Sequence, residues 1–144
     1  HVRFSSPITW STCRQKSSPV IEIPEEFFGV WYMDCMDDMK KYDGKTVKFL
    51  AQICQTERAG KDSFVPGRFA MTCCVQDIQF VGFPCKYAAY KQLKQRDWIT
   101  LTAKVNIKFH PIYKGQTPDS AGPVLTALAV EPAQAPANDV VMFS

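Results

Sequence analysis

The chain has 144 residues, is 46% hydrophobic and 12% aromatic, and carries a net charge of +3 from 17 basic and 14 acidic residues. That length predicts one domain with its own core, and the composition excludes a disordered chain. The weak basic excess falls well short of a strong nucleic-acid binder, and no run approaches the roughly 18 apolar residues that span a bilayer. The chain opens His1-Val2 with no signal-peptide pattern, which predicts a fragment or processed chain.

Residues 1–18 are polar, Ser/Thr-rich and aperiodic and read as a poorly ordered arm before a domain at 19–132. Val20 to Ile23 reads as a short strand. Pro24-Glu25-Glu26 opens a helix, because proline suits the first turn and acids complement the N-terminal dipole. Phe27, Phe28, Trp31, Cys35 and Met39 recur at helical spacing, so an amphipathic helix is expected from Glu25 to Lys41, stopped by Asp43-Gly44. Met33, Met36 and Met39 at this spacing read as core filling, not a soft-metal site.

Lys45 to Cys54 alternates polar and apolar and reads as a long strand. Ser63 to Cys73 reads as a second, interrupted at Pro66-Gly67, a pair that marks a bulge or an edge. Val75 to Ile78 is a turn, Gln79 to Tyr87 a third strand, and Ala88 to Leu93 a short helix. Asp97 to Phe109 is a long strand, His110 to Gly122 a loop, and Val124 to Val130 the last strand. Regular structure is expected to end at Pro132–Pro136, leaving 133–144 as a tail. Five long strands with a mid-strand Pro-Gly break predict a mostly β fold. The expected form is a curved five-stranded barrel of the oligonucleotide/oligosaccharide-binding (OB) type, with an N-terminal helix. A β-sandwich is the runner-up.

The chemistry concentrates in Arg68-Phe69-Ala70-Met71-Thr72-Cys73-Cys74-Val75-Gln76-Asp77, which holds a cation, two adjacent thiols and a carboxylate. Six cysteines are present, and Cys35 and Cys54 read as small buried hydrophobes. Three readings of the central stretch stay open. In the first, Cys73, Cys74, Asp77 and Cys85 supply two thiolates, a carboxylate and a third thiolate to zinc or another borderline-soft cation. Neighbouring strand residues point to opposite faces, so Cys73 and Cys74 can converge on one ion only where the strand ends or bulges. His110 is a further candidate ligand, set against a solvated loop histidine. In the second reading, a thiol near Arg68 has a lowered pKa and does redox chemistry, although adjacent Cα atoms lie closer than a relaxed disulfide wants. In the third, Cys73 faces the core, Cys74 caps a turn, Asp77 accepts backbone N–H groups and Arg68 pairs with an acid. Phe69, Phe80, Phe83, Tyr87 and Trp98, with Arg68, Lys86, Lys91, Lys94 and Arg96 nearby, also raise single-stranded nucleic acid. Many of these aromatics fall at positions expected to face the core. Two histidines, one of them His1, and no phosphate-cradling loop or nucleophile elbow argue against an enzyme.

Val65 to Asp77, followed by Gly82-Phe83 and Asp97-Trp98-Ile99, resembles the C-terminal soluble domain of the YcgQ-like permease-subunit family, whose core signature is R-F-x-M-T-C-C-x-x-D. Tyr42-x-Gly44-Lys45 and Val130-Glu131-Pro132 match as well, so the resemblance runs from Ile21 to Pro132. Gln76 stands where a small residue is frequent, and Cys85 where many members carry an aliphatic one. The resemblance implies a permease subunit as partner, a membrane-associated parent protein and, through the genetic setting of some members, a link to zinc. The resulting expectation is a non-enzymatic domain that binds zinc through Cys73 and Cys74, with Asp77 or Cys85 completing the set. The alternative is an OB module for a protein partner or single-stranded nucleic acid, with the cysteines structural.

Overall fold

Alternation builds the sheet. In Thr46–Cys54 every second residue is buried (Val47, Phe49, Ala51, Ile53), and in Trp98–Phe109 the same holds for Ile99, Leu101, Ala103 and Val105. These two strands pair antiparallel from Thr46↔Lys104 to Gln52↔Trp98, so both apolar rows face one side. The computed structural model describes residues 19–143; the expected N-terminal arm and Cys13 lie outside them.

The strands in chain order are β1 (Val20–Glu22), β2 (Thr46–Cys54), β3 (Ser63–Met71), β4 (Gln79–Gly82), β5 (Cys85–Lys86), β6 (Trp98–Phe109), β7 (Ala121–Pro132) and β8 (Val140–Met142). The fold is mostly β, with one α-helix, α1 (Phe28–Asp37), among the described residues. Strands β2, β6, β7, β5 and β3 form a ring of five, closed by the β2–β3 pairing. Outside the ring, β1 adds to β2 in parallel, while β4 and β8 add to β3.

The expected third strand, Gln79–Tyr87, is two strands. Pro84 interrupts the ladder, and its carbonyl accepts the Leu125 N–H at 2.8 Å, which steers β5 onto β7 as one of the pairings of the ring. The Ala88–Leu93 helix is only a 3-10 turn at Tyr90–Gln92. Regular structure does not end at Pro136: Val140–Met142 runs parallel to Phe69–Met71. The helix is shorter than expected. Its first residues, Glu25–Phe27, and the stretch Met39–Lys41 are 3-10 turns, and Asp38 leaves helical backbone at φ −138°. Lys41 Nζ and the Tyr42 hydroxyl both donate back to Asp34 Oδ2, at 2.8 and 2.6 Å, fixing that sharp end.

Helix α1 buries Phe28, Trp31 and Cys35 against the ring. The Trp31 ring lies 5.0 Å from Phe49 and 5.5 Å from Phe28 and Phe83, giving an aromatic centre to the core. Phe27, expected on this face, is 53% exposed. No helix among the described residues is long and apolar enough to cross a membrane.

Strand β3 changes partners at Pro66-Gly67. Before it, Ser63 and Phe64 pair with β5; after it, Gly67–Ala70 pair with β4. On the other side, Val65–Gly67 pair with β2 and Phe69–Met71 with β8. The pair is thus neither at an outer edge nor a simple bulge. Proline's missing N–H falls where the ladder is handed from one strand to the next. Gly67 is opposite Gly82, and a Cβ on either would overlap backbone oxygen, of Val81 or Pro66. Gly67→Ala is therefore expected to lower stability by about 1–3 kcal/mol, the usual range for an overpacked core, in urea unfolding with an unchanged m-value. A loss below about 0.5 kcal/mol would show that the β3–β4 crossing opens without cost.

Candidate metal centre

The β3 ladder stops at Met71, and the tip of the β3–β4 hairpin, residues 72–78, carries the thiols. Cys74 has extended backbone (φ −153°, ψ 164°), and a 3-10 turn over Val75–Asp77 brings the chain back, closed by Asp77 N–H to Cys74 O at 3.0 Å. The strand has ended, so the alternation that would separate Cys73 from Cys74 no longer applies. Both side chains fold toward Asp77. Its Oδ2 accepts from Thr72 Oγ1 at 2.9 Å, Cys73 Sγ at 3.1 Å and Cys74 Sγ at 3.5 Å. One ligand atom each from Cys73, Cys74 and Asp77 lies within 4.8 Å of the others, and all three residues are exposed. Thr72 is the member the sequence reading left out; its place beside the cysteines in T-C-C-x-x-D is the signal that it shares their carboxylate.

The electrostatics follow from one carboxylate serving three donors. The Cys73 thiol, then the Thr72 hydroxyl, then the Cys74 thiol hold Asp77 below the ordinary aspartate range. The same contact holds the Cys73 thiol above its ordinary value, because a negative oxygen already accepts its proton. Two thiolates and a carboxylate this close would place three negative charges together, an arrangement that a cation would relieve. A divalent ion would replace those protons. The upward shift opposes the redox reading, which needs a lowered thiol pKa.

Arg68 does not supply that lowering. It is fully buried on β3, with Nη1 donating to Glu25 Oε1 at 3.0 Å, Nη2 donating to Asn138 O at 3.0 Å, and its guanidinium 4.9 Å from the Trp98 ring centroid. Its expected pairing with an acid is met by Glu25, and it ties the segments before α1 and before β8 to the ring. Arg68, expected as a binding residue, is placed inside the paired part of β3 and not in the exposed cysteine turn.

Cys85 is likewise not brought to the cluster. It sits on β5 opposite Phe64 and beside Leu125, fully buried, and burial pushes its thiol up to about 12. The hairpin tip extends beyond the ladder, whereas Cys85 lies past the Phe83-Pro84 break, so the two do not meet. The structural reading is corrected at Cys73, which faces solvent and not the core. His110 spends both ring nitrogens locally: Nε2–H donates to Ala59 O at 2.8 Å, and Nδ1 accepts from the Ile112 N–H at 3.1 Å. Cys35 is buried, as expected, and Cys54 is half-buried.

The Asp77 contact sets a measurable reactivity. In Asp77→Asn, Cys73 loses the charge that disfavours its thiolate, and alkylation by iodoacetamide at pH 7.5 is expected to speed up. The pH midpoint for Cys73, followed by mass spectrometry, moves down. An unchanged midpoint would show that Asp77 does not govern the thiol.

No curated protein matches the chain. Among solved structures, one described as an aspartyl-tRNA synthetase from Leishmania major Friedlin is 14% identical, with a TM-score of 0.44, over 88% of this chain and 23% of that one. The chain thus corresponds to less than a quarter of that protein's length. The model of the DUF1980 C-terminal domain matches residues 8–142, and the chain belongs to this family, a C-terminal domain of unknown function.

Proposed function

We propose that this domain binds zinc through Cys73, Cys74 and Asp77, as the non-enzymatic, extramembrane part of a permease-linked, membrane-associated protein, on an OB-type barrel. One observation carries the metal reading: three ligand atoms of thiol and carboxylate type lie within 4.8 Å on one exposed turn. Thiolates disfavour magnesium and calcium, and the carboxylate disfavours copper(I), so a mixed S2O set fits zinc best. Three protein ligands leave a fourth position for water or an outside ligand. The ring order with its N-terminal helix supports the barrel reading, and the resemblance to a permease-subunit family supports the setting.

The test is zinc titration against a chromophoric chelator at pH 7.5. One equivalent is expected for the wild type, with at least roughly tenfold weaker binding in Cys73→Ser, Cys74→Ser and Asp77→Asn. Cys85→Ser should keep the stoichiometry and lower the melting temperature. Each thiol gives up a proton on binding, so affinity should fall by about 100-fold per pH unit below the thiol pKa values. Absence of zinc binding, or binding that survives loss of both Cys73 and Cys74, overturns the proposal.

A second reading, a module for a protein partner or single-stranded nucleic acid, draws on one feature. Phe83 joins the core, but Phe69 and Phe80 stand outside it as a T-shaped pair, with the Arg96 guanidinium 5.0 and 5.3 Å from their centroids. Binding that weakens steeply with salt would favour it, whereas thiolate–metal binding follows pH.

A further inference from the structure

Away from the hairpin tip, a cavity of about 270 Å³ opens between the loop after β2 and the loop before β7, floored by β3 and β4. We infer that it is a binding site for a small aromatic molecule bearing one anionic group. Its walls are Tyr32, Phe80 and Tyr113, with Val65, Val81 and Ile112 between them. Its polar groups are Arg58, Thr56 and Gln116, with the Cys54 thiol, and no acid among the described residues lines it. The sign of the ligand follows from that set: one cation, no anion, and no ion pair to Arg58 among the described residues.

The walls are held before any ligand arrives. Tyr32 stacks on Phe83 at 4.8 Å and 19°. Tyr113 is buried, and its hydroxyl donates to Pro123 O at 2.6 Å. Phe80 is clamped by Phe69 at 5.2 Å and by Arg96. The two loops are joined to each other by His110 Nε2–H to Ala59 O at 2.8 Å. A preformed apolar cleft with few convergent polar groups is the usual form of a small-ligand site. The size limits the ligand. A volume near 270 Å³ corresponds to about nine liquid waters, just under the range of drug-sized pockets, so one ring and one charged group fill it. Arg58 offers a planar fork to a carboxylate or phosphate, and the aromatic walls take the ring.

The experiment is a ¹⁵N–¹H titration of the whole chain with phenyl phosphate, alongside phenol, inorganic phosphate and benzylamine at equal concentrations. Phenyl phosphate is expected to give saturable shifts at Thr56–Arg58, Phe80–Gly82 and Ile112–Gln116. Phenol and inorganic phosphate should bind at least roughly tenfold more weakly, and benzylamine should leave these amides unmoved. Benzoate binding as phenyl phosphate does would place recognition in the shared charge and ring. Arg58→Ala should weaken phenyl phosphate by roughly tenfold or more, with Arg58→Lys between it and wild type. Arg58 is exposed, and unmoved amides elsewhere report an intact fold. A Cys73→Ser, Cys74→Ser double variant should bind equally well, which separates this site from the metal cluster. Equal binding of benzylamine, no effect of Arg58→Ala, or shifts confined to other surfaces would overturn the inference.

Discussion

The structure depends on the close backbone approach of Gly67 and Gly82, where β3 changes partners on both sides. Four strands pair with β3, and the ring closes only because β2 and β5 reach it on opposite edges. A side chain at either glycine would hold β4 away from β3. Moving β4 would shift the hairpin tip with Cys73, Cys74 and Asp77. It would also shift Phe80, Val81 and Gly82, which floor the cavity. The thiol cluster and the cavity thus share one anchoring contact, although they share no ligand residue.

Arg68 and Asp77 begin as neighbours in one charged stretch and end with opposite fates. Arg68 lies in the paired part of β3, so its charge is enclosed and is met by the half-exposed Glu25 carboxylate, the Asn138 carbonyl and the Trp98 ring. Removing one partner of such a buried ion is costly, which makes Arg68 a lock between distant segments and withdraws it from chemistry. Asp77 lies beyond the ladder, where water reaches it, and its oxygen stays available to soft donors. The end of the β3 ladder at Met71 draws the line between the two roles.

The parts visible in the sequence were those with short-range causes. β2 and β6 were readable because their apolar rows alternate, and the helix core because Phe28, Trp31 and Cys35 repeat at its period. The thiol cluster was readable because its members sit within five residues of one another along the chain. Features made by distant segments were not. β8 is three residues that pair with a strand some seventy positions earlier. Its trace was Gly29 inside the helix, a residue that costs helix stability unless something packs close. A Cβ there would overlap the Met142 carbonyl, so the glycine marks where β8 passes. Cys85 was drawn into the ligand set by proximity in sequence, while the Phe83-Pro84 break sent it to the core.

The thiol cluster also differs in kind from a structural zinc site. Structural sites are closed by four protein ligands, and the ion supplies the energy that folds them. Here the turn is already closed by Asp77 N–H to Cys74 O, and one carboxylate already holds all three neighbouring donors. On the proposed zinc reading, an arriving ion would meet a turn already formed and would not be needed to create it. The three candidate ligands come from one exposed turn, so such an ion would remain within reach of solvent or of another protein's ligand. That arrangement suits loading and unloading better than permanent retention, which is the behaviour a domain working beside a permease requires on the proposed reading.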